Sequence, residues 1–434
     1  MKIFRLVFAL ALVSMLFAAG PASAGAFSYT SGFQVQNLEG VEANVTIIYY
    51  NQDGSMAADV DDTIPANGSV TYFPIEPGTG FNGSVVISSS TQVAAVSNIL
   101  GDSGAAAASY VGSASGNTTV LLPLLMKNNG PFSTWFNVQN TGSSDATVNV
   151  SYSDGTTAGP VTIKPGASAT FDQLTETHTS AVFSGEITSD QPVAAAVIEE
   201  SSDVMFAYSG FTGGSTDPVM PLINAQNSGY ITGIQIQNAG STDSTVTVSY
   251  NPSLVGTACE ETQTIPDGES KTFALAAFSN GSFSDCVGGA TFVGSAQVTA
   301  NSAGVELVAI VNQLKPGVNG EAYGGFDPSA ATGTAVLPLI MDRNSGYYTG
   351  FNVMNVGGAS TTVNCTFTGT SYTVSDTLGS GEALTDLQNN KIASGYVGSA
   401  TCTSGGSIVA VVNELGPSST SDQLLVYEGI NSGP

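Results

Sequence analysis

The chain has 434 residues and carries 34 acidic against 8 basic side chains, a formal net charge of −26. So few Lys and Arg exclude nucleic-acid binding, which needs clustered cations to displace counterions, and disfavour docking on anionic lipid. Apolar residues make up 42% of the chain, enough for packed cores rather than a disordered acidic coil.

Residues 1–24 read as a secretory signal peptide. Lys2 and Arg5 open it, Leu6 to Ala19 form an apolar run, and Ala22-Ser23-Ala24 supplies an A-x-A cleavage site. The run is shorter than the roughly 20 apolar residues that span a bilayer, so no membrane insertion is expected after cleavage. The product is expected to be secreted, either extracellular or held at the cell surface.

The rest of the chain repeats itself. Gly32-Phe33-Gln34-Val35-Gln36-Asn37 returns as Trp135-Phe136-Asn137-Val138-Gln139-Asn140, Gly233-Ile234-Gln235-Ile236-Gln237-Asn238 and Gly350-Phe351-Asn352-Val353-Met354-Asn355. The closing asparagines lie about a hundred residues apart, a spacing that suits independent domains rather than solenoid units. After each comes an alternating run: Val45/Ile47/Tyr49, Val148/Val150/Tyr152, Val246/Val248/Tyr250 and Val363/Cys365/Phe367. Period-two alternation of β-branched and aromatic residues marks half-buried strands.

A Pro/Gly turn follows at Pro65–Gly68, Pro165-Gly166, Pro266–Gly268 and Gly379–Gly381. Each copy then has two further strands, the second rich in Ala and Val, and ends on Tyr-x-Gly: Tyr110/Gly112, Tyr208/Gly210, Tyr323/Gly325 and Tyr427/Gly429. Three copies begin with a Pro-Leu strand, at Pro123, Pro221 and Pro338, where proline suits the start of an edge strand. The spacing gives four β-sandwich modules: 25–117, which lacks the opening strand, then 118–215, 216–333 and 334–434. Gly/Ser/Ala-rich stretches at 101–119, 209–217 and 325–335 read as linkers. A sandwich without its first strand leaves an unpaired edge. One expectation is that another chain fills it by strand addition, giving head-to-tail assembly.

The four cysteines are assigned by aligning the copies. Cys365 and Cys402 stand where the other copies have apolar core residues, so they are expected to pair within the fourth module. Cys259 and Cys286 then pair across an insert in the third. Each closed loop is expected to stabilise by about 3 kcal/mol.

The φ-x-φ-x-Asn strand, the V-x-V-x-Tyr strand and the Tyr-x-Gly close resemble the tandem immunoglobulin-like modules of secreted bacterial cell-surface proteins. The resemblance implies an all-β chain of four tandem immunoglobulin-like β-sandwiches, with Cys365–Cys402 echoing the bridge between sheets. Such modules serve as stalks, adhesins, surface-layer units and enzyme appendages, so the resemblance speaks to architecture.

Candidate chemistry is sparse. The one histidine, His178, has no counterpart in other copies and reads as an exposed loop residue; no serine sits in a nucleophile-elbow pattern. Glu199-Glu200 could suggest the carboxylate pair of a glycoside hydrolase, but neighbours on a strand point to opposite faces and cannot share one substrate, so the pair reads as a solvated strand end. Asp59, Asp61 and Asp62 crowd one segment, read as a loop, and are the one suggestion of a metal, calcium, although they lack the D-x-[DN]-x-[DN]-G pattern. Asn37, Asn140, Asn238 and Asn355 suit a structural role, satisfying backbone groups of the following turn. Tyr230, Tyr347 and Tyr348 read as exposed residues suited to stacking on sugars or packing on a neighbouring module. Asn44, Asn67, Asn82 and Asn117 begin N-x-Ser/Thr sequons.

The sequence therefore points to a non-enzymatic secreted or cell-surface structural protein, a rod-like array serving as spacer, surface-layer or matrix component. The alternative is a secreted adhesin or carbohydrate-binding protein using tyrosine-lined module edges. The expected partners are other cell-surface proteins, the protein itself, or surface glycans. No cofactor is required.

Overall fold

The computed structural model describes residues 10–16, 25–274, 286–302, 305–417 and 421–432. The expected cleavage site and part of the insert between Cys259 and Cys286 lie outside them. The fold is all-β, with a single 3₁₀ turn at Pro328–Ala330 as the only helical element among the described residues. No helix there is long and apolar enough to cross a membrane.

The first repeat sets the plan. Its strands are β1 (Leu10–Leu16), β2 (Tyr29–Asn37), β3 (Ala43–Asn51), β4 (Met56–Ile64), β5 (Ser69–Tyr72), β6 (Gly83–Ser89), β7 (Val93–Gly101) and β8 (Ala106–Val111). They form two four-stranded antiparallel sheets, β1-β6-β3-β4 and β5-β2-β7-β8. Val45, Ile47 and Tyr49 of β3 and Val85 and Ile87 of β6 meet Phe33 and Val35 of β2 between the sheets, all at most 2% exposed. The alternation that predicts β3 is thus the period of a strand buried on one face. Asp53-Gly54 turns β3 into β4, with Gly54 at φ 85°.

The third repeat has the same two sheets. In the second and fourth, the counterparts of β6 and β7 run on as one strand, Val182–Glu200 and Tyr396–Leu415, which joins both sheets of the sandwich. The Pro-Leu strands, Asn117–Met126, Val219–Ala225 and Thr332–Asp342, occupy the place of β1. Two expectations change here. The place beside β6 that the first repeat was expected to leave open is taken by residues 10–16, from the segment read as a signal peptide. The stretch read as a linker at 101–119 contains the closing strand β8 and the start of the next opening strand.

Both disulfides form, Cys259–Cys286 and Cys365–Cys402. The second does not span two sheets. Cys365 and Cys402 lie directly opposite each other on adjacent strands, Cα to Cα 3.9 Å, so the bridge ties one ladder.

The repeats are not strung out as a rod. Closing strands β8, Met205–Ser209, Asn319–Gly324 and Leu424–Glu428 converge, each packed on at least two others, and the repeats close into a ring.

Candidate functional site

The junctions between repeats concentrate the buried polar groups, and three kinds of contact build them. Ser84, Ser184 and Ser295 occupy one position of the repeat. Each donates its hydroxyl to the turn of the next repeat, at the carbonyls of Gly166 (2.5 Å), Gly268 (3.1 Å) and Gly381 (2.5 Å). Ser399, the fourth of the set, pairs with Thr368 of its own repeat instead.

At the ring centre, carboxylates bind backbone N–H groups. Glu321 of the third repeat accepts from Ser109 (2.6 Å) in the first, Ala207 (2.7 Å) in the second, and Ala322 beside it. Asp422 of the fourth accepts from Met205 (2.8 Å) in the second and Gly320 (3.0 Å) in the third, while its own N–H donates to Ala105 in the first. Ser109 Oγ donates to the carbonyl of Val426 and accepts from its N–H, joining first and fourth repeats. Burial pushes Asp422 up to about 8 and Glu321 well above the carboxylate range, against the pull of their N–H donors. In the ladder, Glu321 takes the position of Ala108, Phe206 and Leu425.

Between neighbouring repeats, one pair of positions on the strands equivalent to β7 recurs. Across the second and third repeats Asn312 donates to Glu199 (2.6 Å). Across the third and fourth, Asn413 donates to Gln313 (3.2 Å). Across the fourth and first, Glu414 and Asn98 line one cavity. Across the first and second the pair is Ile99 and Ile198, in an apolar cluster with Phe27, Tyr29 and Trp135. Tyr29 stacks edge-on against Trp135 (5.5 Å) and donates to Glu200 (2.5 Å), which also accepts from the Ala26 N–H.

Glu199 and Glu200 are therefore not a solvated strand end: they are 0% and 5% exposed. Strand alternation does separate them, Glu199 facing the third repeat and Glu200 the first. His178 is not an exposed loop residue either. Its ring stacks on Phe183 (4.1 Å) and meets Tyr152 edge-on, with Nδ1 3.3 Å from Asp154 Oδ2. Burial would raise Asp154, but hydrogen bonds from Thr156 and Thr179 and the nearby imidazole bring it down to about 2. Burial lowers His178 against the pull of Asp154.

Asp59, Asp61 and Asp62 lie on strand β4 rather than a loop. Asp59 and Asp61 face solvent, whereas Asp62 faces the other way and accepts from Tyr72 (3.0 Å). They do not converge, and among the described residues no group of three His, Cys, Asp or Glu side chains could hold a metal ion. Tyr230, Tyr347 and Tyr348 are half-buried at junctions: Tyr347 lines the cavity between fourth and first repeats, and the other two line a cleft between third and fourth. The repeated asparagines serve the turns. Asn140 Nδ2 donates to the carbonyls of Ser144 and Ile163 and its Oδ1 accepts from Gly142 N–H; Asn37, Asn238 and Asn355 repeat the pattern.

Sequence reasoning missed the junction serines and the paired positions after Val197 and its counterparts. The serines recur beside a glycine in all four copies, a legible mark. The paired positions vary between Ile, Glu, Gln and Asn, which hides them. No protein-family model matches this chain, and no curated protein matches it.

Proposed function

We propose that this is an exported, non-enzymatic structural protein of the cell surface or extracellular matrix, built of four immunoglobulin-like sandwiches and used as one block-shaped unit. The observation that carries the reading is where the repeated residues are used. Serines, turn glycines, asparagines and closing tyrosines are spent on cores, turns and junctions, the signature of a part selected for shape. The single histidine is boxed in by Tyr152, Phe183 and Asp154, away from any cavity described above. Two disulfides suit an oxidising compartment. The acidic exterior keeps such a unit soluble and repels identical neighbours, so assembly into a lattice would call for counter-cations. Negative-stain microscopy of the purified chain with and without calcium tests this. Ordered sheets or filaments of block-like units support the reading; monodisperse particles under all conditions, together with turnover of a substrate, contradict it.

The second reading, a secreted adhesin or carbohydrate-binding protein, is favoured by one feature. The cleft of about 540 Å³ between third and fourth repeats carries Tyr230, Tyr348, Asn227 and Lys315, an aromatic and polar mixture suited to sugar rings. Glycan binding abolished by Tyr348→Ala would move the balance to it.

A further inference from the structure

Two of the four junctions share a construction that the other two lack. In the second repeat the opening strand brings Leu124 and Met126 beside Glu199, and the third repeat adds Asn312, around a cavity of about 300 Å³. In the fourth, Leu339 and Met341 stand beside Glu414, and the first repeat adds Asn98, around a cavity of about 350 Å³. Aromatic rings complete the walls, Phe132 and Phe206 in one and Phe33 and Phe73 in the other.

The third repeat shows what is different. It has Asn224 where the others have methionine and Gln313 where they have glutamate, and Asn224 Nδ2 donates to Gln313 Oε1 (3.1 Å). A methionine thioether donates nothing, so the glutamates are left short. Glu199 and Glu414 are 0% and 2% exposed, and Oε1 of each finds no hydrogen-bond partner among the described residues. The same is true of Oδ1 of Asn312 and of Asn98. The Asn312 amide is oriented by its bond to Glu199 Oε2, so its oxygen is fixed as an acceptor. Each cavity therefore combines largely apolar walls with two buried side-chain oxygens, one from a glutamate and one from an asparagine, that have no hydrogen-bond partner among the described residues.

We propose that these two cavities are binding sites for a primary ammonium group carried on an apolar chain, the chain lying against the leucine, methionine and phenylalanine side chains and the –NH₃⁺ donating to the glutamate and asparagine oxygens. An ammonium offers three donors and no acceptor, the complement of what each site presents. Cavities of this volume suit small ligands, and the net charge of −26 concentrates cations near the surface. Burial holds Glu199 and Glu414 up to about 8, so an arriving ammonium displaces a proton from the carboxyl to solvent and leaves a buried ion pair.

Isothermal titration of the full chain with hexylamine, hexanol and hexanoate tests the assignment. Hexylamine is expected to bind with a stoichiometry of two, at least tenfold tighter than either analogue. Glu199→Gln and Glu414→Gln should each remove one site, the double variant both, and Asp61→Asn on the exposed face of β4 neither. Met341→Asn, which installs the third repeat's donor beside Glu414, should also remove one site and guards against misfolding of the Gln variants. Nα-acetyl-lysine methylamide separates the sources: binding with the same variant pattern assigns a lysine side chain of a partner, its failure a free amine. Equal affinity for hexanol and hexylamine, or stoichiometry unchanged in the Gln and Asn variants, overturns the proposal.

Discussion

The hydroxyl of Tyr208 donates to the carbonyl of Leu124 (2.6 Å) and accepts from its N–H (3.3 Å); Tyr323 does the same to Leu222 and Tyr427 to Leu339. Each closing tyrosine thus pins the bulge that proline makes in the opening strand. Two residues on, Gly210 lets that strand approach: a Cβ there would lie 2.6 Å from Val120 Cγ1. This gives the Tyr-x-Gly close a physical reason. Tyr110 is the exception. It is 3% exposed, stands opposite Ser97 in the ladder, and its hydroxyl makes no hydrogen bond of normal geometry among the described residues. Tyr208→Phe is therefore expected to cost about 1–3 kcal/mol, by orphaning a buried N–H and carbonyl, and Tyr110→Phe almost nothing. Urea unfolding of the two variants side by side checks this, and equal costs would contradict it. The tyrosines were legible in the sequence as repeated landmarks. The role of their hydroxyls was not, since it depends on a strand some eighty residues or more away.

At the scale of elements, the strands were the most legible part, because one-sided burial writes its period directly into Val45/Ile47/Tyr49 and its counterparts. The closing strands were the least legible. Ala106–Val111 is buried on both faces, against its own sandwich and against the ring, so it shows no alternation and reads as a small-residue linker. Glu199 and Glu200 misled for the same reason: a strand end is exposed in an isolated sandwich and buried in a ring. The opening strand of the first repeat carries a prediction of its own. Leu10–Leu16 lacks the Pro-Leu pair and runs along β6 without the register shift of the other opening strands. A chain beginning at Gly25 should accept, along β6, a peptide with the sequence of Asn117–Met126, whose bulge supplies partners for Tyr110. Uptake should raise the thermal midpoint and be lost in a scrambled peptide; no difference between the two peptides would contradict the assignment.

On the scale of the molecule, the ring gathers buried carboxyls whose folded affinity for protons exceeds their unfolded one. Burial raises Glu199, Glu414 and Asp422 to about 8, and raises Glu200, Glu321 and Glu428. Between pH of about 4 and about 8 the folded state therefore binds more protons than the unfolded state. The contribution is fully present below the unfolded value and is lost as pH rises through the folded one. Self-repulsion among acidic side chains acts in the same direction; the single lowered His178 opposes it below about pH 6.5, and Asp154, lowered to about 2, only in strong acid. Scanning calorimetry should give a higher midpoint at pH 5.5 than at pH 8.5; the reverse order would contradict the burial of these groups.

The central claim is the closed ring, since the junction sites and the carboxyl cluster exist only if the closing strands meet. Small-angle X-ray scattering of the chain measures this directly. A compact body of this length has a radius of gyration of about 22 Å. Four sandwiches end to end, each about 30 Å along its strands, would form a rod of about 120 Å with a radius of gyration of about 35 Å. The closed ring gives the smaller value, unchanged between low and physiological salt; a value near the larger one would contradict it.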